Sequence, residues 1–213
     1  MEVVILAAGL STRIGEDGKQ HLPKKPLLML NNETVIERQV RILRKAGVQN
    51  LKVVAGDNKR EIEKVLGNEV EYMETNYCHK NALYELANIC RVTEERDILL
   101  AILGDTVFSL KSAQQMLNCE NDDKIVVYGS TKVEEYPNAW WNRGDEVFAV
   151  KLYDEYIFMG YRLFGLMEDK YYELKNIPRQ LNIPYTPLLE CVDIDRQPDY
   201  HYVLSNIDKW GMW

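Results

Sequence analysis

Val3-Val4-Ile5-Leu6-Ala7-Ala8-Gly9-Leu10-Ser11-Thr12-Arg13, followed a few residues later by Leu22-Pro23-Lys24-Lys25-Pro26-Leu27-Leu28, decides the fold of this chain. A run of β-branched and aliphatic residues ends abruptly in two alanines, a glycine, two hydroxyls and an arginine. That order describes a buried strand whose carboxyl end opens into a loop. Small residues there let backbone N–H groups approach an anion closely, and Arg13 and Lys25 supply charge to neutralise it. A polyphosphate suits the arrangement, so the stretch points to nucleotide chemistry. The alternative is a core strand followed by a surface loop with solvated lysines.

The rest of the chain is compatible with that reading. Its 213 residues are 46% hydrophobic and 28% charged, enough to bury one substantial core, and no linker divides them, so a single domain over 1–213 is expected. A net charge of -7 argues against nucleic acid as the main partner, although Arg13, Lys19, Lys24 and Lys25 form a local basic patch fit for a small anion. Cys78, Cys90, Cys119 and Cys191 are scattered without a CxxC spacing, which fits buried free thiols in a reducing cytoplasm. The opening apolar run is too short for a signal peptide, and no stretch approaches a membrane span. A cytoplasmic protein without a membrane partner is expected; the oligomeric state stays open.

Strand-like and helical patterns alternate through the first two-thirds. Strands are expected at 3–7, 51–55, 69–73, 98–103 and 124–128, and helices at 33–46, 59–66, 81–90 and 110–117. Such β-α-β-α order, with strands apolar on both faces, predicts a doubly wound, mostly parallel sheet covered by helices. Later, 147–152 and 156–164 are expected to pair as an antiparallel hairpin across Tyr153-Asp154-Glu155, with helices at 168–179 and 198–209.

The glycine loop does not match the Walker A pattern, because no Gly-Lys-Ser or Gly-Lys-Thr follows. It does not match the dinucleotide fingerprint either, since Ser11 and Ile14 occupy the second and third glycine places. Leu6-Ala7-Ala8-Gly9-Leu10-Ser11-Thr12-Arg13 and Lys25-Pro26-Leu27-Leu28 together resemble the nucleotidyltransferases that make nucleoside-diphosphate-activated sugars and alcohols. The resemblance implies a Rossmann-like nucleotidyltransferase fold with a small antiparallel acceptor-binding insertion. It implies Arg13 and Lys25 as catalytic residues, with Leu6, Ala7, Ala8, Gly9, Ser11 and Thr12 against the nucleotide.

Leu103-Gly104-Asp105 ends an aliphatic strand at the edge where ligands bind in open α/β sheets. Asp105 is either a hard oxygen ligand for Mg²⁺ or a helix N-cap, and Gly104 would let a nucleotide approach the backbone. Asp193 and Asp195 are two apart and, on a strand, share a face toward one cation. The resemblance implies Mg²⁺ as cofactor, held by Asp105 and Asp195, with Asp193 supporting or sharing it.

Asn76 and Asn81 lie where neutral amides would read a base or sugar edge, or serve as turn and cap residues. The segment is similar to the phosphocholine cytidylyltransferase branch, with Glu85 standing where that pattern has serine. Trp140 and Trp141 would wall an acceptor pocket or face an interface, and Lys151 or Arg162 would bind the acceptor's phosphate. Met159-Gly160-Tyr161-Arg162-Leu163-Phe164 resembles the family's strand beneath the acceptor.

The implied reaction is transfer of a nucleotidyl group from an NTP, CTP favoured, to a small phosphorylated acceptor such as phosphocholine or a sugar 1-phosphate, with release of pyrophosphate. Uridylyl-, thymidylyl- or guanylyltransferases of sugar 1-phosphates and a molybdopterin-type enzyme remain as near alternatives. A non-catalytic nucleotide-binding subunit is the alternative of another class; a glycosyltransferase would place an Asp-x-Asp motif at mid-chain, where Asp105 stands alone.

Overall fold

Strand β1 (Glu2–Leu6) is central to the seven-stranded sheet, and its alternation explains the architecture of this computed structural model. The structure describes residues 1–9, 11, 14, 23–75, 82–93, 98–118, 125–130, 146–153, 156–157, 159–160, 162, 164, 174–188 and 190–208. Val3 and Ile5 point into one apolar cluster and Val4 and Leu6 into another, so the strand is buried on both faces.

After a 3-10 turn at Lys25–Leu27, a short antiparallel pair, β2 (Met29–Leu30) and β3 (Glu33–Thr34), leads into α1 (Val35–Lys45). Thr34 caps that helix: its hydroxyl accepts from Glu37 N, and the Glu37 carboxylate accepts from Thr34 N at 2.7 Å. β4 (Leu51–Ala55), α2 (Lys59–Leu66), β5 (Glu71–Glu74), α3 (Ala82–Val92) and β6 (Ile98–Leu103) follow. The order β5-β4-β1-β6 is parallel throughout. Then come β7 (Thr106–Phe108), α4 (Leu110–Asn118), β8 (Ile125–Ser130), β9 (Glu146–Tyr153), α5 (Asn176–Leu181), β10 (Tyr185–Thr186), β11 (Cys191–Asp193) and α6 (Gln197–Asn206).

The sheet runs β10-β8-β9-β6-β1-β4-β5, and β9 alone is reversed among the described strands, antiparallel to both β6 and β8. Helices α1, α2 and α4 pack on one face and α3 with Ile157, Phe164 and α5 on the other. The doubly wound, mostly parallel reading therefore holds.

The expected hairpin does not form. Tyr156, Ile157, Met159, Gly160, Arg162 and Phe164 are helical, and β9 finds its antiparallel partners inside the main sheet instead. Ile157, Gly160 and Phe164 are spaced i, i+3, i+7. Ile157 and Phe164 are fully buried, and a Cβ on Gly160 would lie 2.8 Å from Cys90 Sγ. The small antiparallel pairing that does matter joins β7 to β11, setting Asp193 opposite Thr106. A third cluster supports it: Leu28, Leu30 and Val35 pack with Val107, Val192, Ile194 and Val203.

Candidate active site

The site forms where β1, β6, the β7–β11 ribbon and the Lys25 turn converge at the carboxyl edge of the sheet. The loop leaving β1 is fixed first. Ala7 N donates to Val54 O at 2.8 Å, and Asn58, fully buried, donates from Nδ2 to Ala7 O at 2.8 Å. Gly9 is exposed, and among the described residues a Cβ on it would meet nothing within 4 Å. Ser11 takes a positive φ of 56°, and its hydroxyl accepts from Lys25 N at 2.9 Å, tying the two halves of the opening signature together. Leu6, Ala7 and Ala8 are buried at the strand end.

Gly104 is required by the protein itself. A Cβ there would lie 2.7 Å from Leu6 O and 2.9 Å from Ala7 Cα, and Gly104 N donates to Leu6 O at 2.9 Å. The glycine thus brings the end of β6 against β1, a packing reason that the sequence reading assigned to nucleotide approach. The turn after it is braced by Gln39 on α1, which is buried. Its Nε2 donates to Leu103 O at 2.9 Å and to Thr106 O at 2.7 Å, bracketing Asp105 from both sides.

Asp105, Asp193 and Asp195 meet within that frame, one carboxylate oxygen from each lying within 4.8 Å of the other two. The ribbon delivers Asp193, and Ile194 N donates to Asp105 O at 2.9 Å, locking the two strand ends. Asp199, in the first turn of α6, accepts from Asp195 N at 2.7 Å and Arg196 N at 2.6 Å, which orients the backbone carrying Asp195.

Lys25 completes the cluster. Its ammonium donates to Asp105 Oδ2 at 2.8 Å and to Asp195 Oδ1 at 2.6 Å, with its side chain only 5% exposed. Burial alone would lower the pKa of Lys25, but the charges of Asp105, Asp193 and Asp195 outweigh it and hold it above the ordinary lysine value. Asp193 carries a buried Oδ1 without a hydrogen-bond partner. Burial, then the Asp105 charge, push its carboxyl well above the usual carboxylate range despite Lys25.

Three hard oxygen donors from two backbone segments, one after β6 and one at the end of β11, with a desolvated, unpaired oxygen on Asp193, fit a small divalent cation such as Mg²⁺. Asp105 does not cap a helix: it precedes β7, while Ser109 caps α4 by accepting from Ser112 N at 3.1 Å.

Glu85, on α3, had drawn notice only as a departure from a pattern. It is buried, its Oε1 has no hydrogen-bond partner, and burial with the Asp105 charge pushes its carboxyl up to about 8. The signal in the sequence was a lone acid among Leu83, Leu86, Ala87 and Ile89. Gln39 and Asn58 carried no such signal.

The acceptor residues are less unified. Lys151 is 1% exposed on β9, and its ammonium donates to Met116 O and Leu117 O, both at 3.1 Å, at the end of α4. That corrects its expected role: the charge answers the carbonyl end of a helix. Arg162 is exposed on a helical segment, which also corrects the strand expected beneath an acceptor. Thr12, Arg13, Asn76, Asn81, Trp140 and Trp141 lie outside the described residues. Cys90 and Cys191 are buried thiols outside any disulfide. Among the described residues no helix is long and apolar enough to cross a membrane.

Solved structures share this fold over nearly the whole chain. A nucleotidyl transferase from Methanothermobacter is 18% identical with a TM-score of 0.73, covering 98% of this chain and 97% of that one. An inositol-1-phosphate CTP transferase from T. maritima is 15% identical with a TM-score of 0.67, covering 98% and 96%. The CTP:phosphocholine cytidylyltransferase of Streptococcus pneumoniae is 14% identical with a TM-score of 0.61, covering 97% and 98%. At such identities the likeness is one of fold. No curated protein matches the chain. The MobA-like NTP transferase domain matches residues 3–169, most of the sequence, and the chain belongs to this family of nucleotidyltransferases.

Proposed function

We propose that this member of the MobA-like NTP transferase family transfers a nucleotidyl group from an NTP to a small phosphorylated acceptor, with Mg²⁺ dependence and release of pyrophosphate. The observation that carries the reading is the convergence of Lys25, Asp105, Asp193 and Asp195 at the carboxyl edge of the sheet, with Ser11 bonded to Lys25 N. A non-catalytic nucleotide binder has no need of three converging carboxylates.

An acceptor phosphate oxygen attacks the α-phosphorus in line, and pyrophosphate leaves with the bonding electron pair. No covalent intermediate on the protein is needed, so the chain's work is to position the reactants and neutralise charge. The small residues Ala7, Ala8 and Gly9 leave room for backbone N–H groups against the triphosphate, and the Ser11 hydroxyl proton remains available as a donor. Lys25 and Arg13 neutralise the charge that accumulates on the leaving pyrophosphate. Asp105, Asp193 and Asp195 would hold the divalent ion, which supplies Lewis-acid polarisation of the reacting phosphates when bound. Gln39 and Asn58 keep Asp105 and the β1 loop in register.

CTP is the favoured nucleotide, on the Asn76 and Asn81 segment, and phosphocholine or a sugar 1-phosphate the favoured acceptor class. Trp140, Trp141 and Arg162 are proposed for the acceptor side. The reaction is assigned to a single cytoplasmic domain. The test is a panel of the four NTPs crossed with phosphocholine, sugar 1-phosphates and molybdopterin, read by pyrophosphate release. Turnover with one pair, abolished in Asp105→Ala while the circular dichroism spectrum is kept, is the expected result. Full activity in that variant removes Asp105 from the chemistry, and absence of pyrophosphate from every pair overturns the reading.

A further inference from the structure

Within the proposed reaction, one contact is unexpected: the lysine meant for the triphosphate is bonded to the carboxylates meant for the metal. The Lys25 ammonium lies 2.8 Å from Asp105 Oδ2 and 2.6 Å from Asp195 Oδ1, buried among them, while the third acid, Asp193, keeps a desolvated oxygen with no partner. An ammonium hydrogen-bonded to two of three converging carboxylates stands where a divalent ion would bind.

We infer that Lys25 acts as a built-in place-holder for the cation, so that the site takes up a divalent ion only as its complex with a polyphosphate. The physical argument is charge exclusion. A divalent ion needs the same oxygen lone pairs at shorter distances, and a buried ammonium hydrogen-bonded to those oxygens repels it in a poorly screened setting. A bare ion therefore has to displace Lys25 into a position without an anionic partner. A polyphosphate supplies that partner: the ammonium transfers from carboxylate oxygens to phosphate oxygens as the ion takes the carboxylates. Charge is matched at both ends of the exchange, and no covalent bond changes.

The backbone is built for a side-chain exchange of this kind. Lys25 N is held by the Ser11 hydroxyl at 2.9 Å, and Pro26 follows in a 3-10 turn. The main chain stays attached to the β1 loop while the four-carbon side chain swings, a motion that lysine's rotatable stem permits. The substrate this implies is the metal–polyphosphate complex, and the apparent affinity for free metal is correspondingly poor.

The test measures binding without turnover. Mn²⁺ is titrated into the full chain without nucleotide, and free ion is read by electron paramagnetic resonance, for wild type, Lys25→Met and the double variant Lys25→Met/Asp105→Asn. Removing the ammonium is expected to tighten Mn²⁺ binding by about tenfold or more, and the added Asp105→Asn change to abolish the gain. Equal binding by wild type and Lys25→Met overturns the inference. A second measurement on wild type alone does not depend on the variant folding: thermal unfolding with Mg²⁺, with inorganic tripolyphosphate and EDTA, and with both Mg²⁺ and tripolyphosphate. Stabilisation by the pair beyond the sum of the separate shifts is expected, and a full shift from Mg²⁺ alone overturns it. Failure of the transferase reading would appear elsewhere, as no pyrophosphate from the substrate panel, with the Mn²⁺ difference still measurable.

Discussion

Glu85 offers the sharpest test of how this site's charges are balanced. Its carboxyl ionises near 4.5 in the unfolded chain and at about 8 in the folded protein, because it is buried on α3 and lies near the negative charge of Asp105. Between those two values the folded protein holds one proton that the unfolded chain has lost. Unfolding releases it, so this group's contribution is most favourable below pH 4.5 and declines as pH rises to about 8. The slope for one proton is about 1.4 kcal/mol per pH unit, and the whole window carries about 5 kcal/mol, a large share of a typical domain's stability.

Glu85→Gln keeps the shape and removes the titration. The variant's advantage over wild type is expected to grow from under about 1 kcal/mol at pH 5 to about 3 kcal/mol at pH 7. Desolvating the new amide shifts every point by the same amount and leaves the slope intact. Urea unfolding of both proteins in EDTA, followed by circular dichroism at half-unit steps from pH 5 to 8, measures the difference directly. The remaining titrating groups are common to both proteins and cancel in the difference. A difference that stays flat across the window, within about 0.5 kcal/mol, would refute the assignment of a neutral, buried Glu85.

Three further outcomes follow from the frame around the acids. Gly104→Ala places a methyl group 2.7 Å from Leu6 O, where two strands rather than a flexible side chain would have to yield; a loss of about 2–3 kcal/mol, about 5–10 °C in Tm, is expected by calorimetry. Gln39→Leu leaves Leu103 O and Thr106 O without their donor; stability should fall by about 1–3 kcal/mol, and kcat should fall more than KM rises, since Asp105 loses its orientation before substrate binding is affected. Lys151→Met removes two bonds to the end of α4; Tm should drop with acceptor KM unchanged, whereas a raised acceptor KM would return Lys151 to the acceptor site.

How much of this was legible in the chain depends on what kind of signal each residue leaves. The strands at 51–55 and 98–103 were bounded correctly because both faces are largely buried, which enforces apolar runs that Lys52 alone interrupts. Residues 156–164 misled because aromatic and aliphatic side chains crowd a short stretch in which helical and strand periods both find matches. Only burial of Ile157 and Phe164 against α3 and the sheet distinguishes them. The acids at 105, 193 and 195 and the lysine at 25 were visible as unusual residues at strand ends. That they close on one another was not, because it depends on the β7–β11 register, and β7 had not been anticipated. Gln39 and Asn58 leave no trace in sequence, since a buried amide bonding to backbone carbonyls looks like any polar helix or turn residue until the partner strand is placed.

The energetics of the cluster favour a functional origin over a structural one. A lysine buried between two aspartates gains little net stability, because removing three charges from water costs about as much as their attraction returns. A well-packed apolar set would hold the ribbon against β6 at least as well, and Leu28, Leu30, Val107, Val192 and Ile194 already do so next to it. One ammonium against three acids also leaves the balance negative, and burial, with the charge of Asp105 added to it, drives the Asp193 carboxyl toward its neutral form. A site meant only to bind its own lysine would need two acids. The third is explained by a guest of higher charge, and the segments that bring it there are held by Gln39, Asn58 and Asp199, none of which touches Lys25 in a hydrogen bond of its own. The scaffold therefore keeps the oxygens in place whichever cation they hold, as an exchange between ammonium and metal requires.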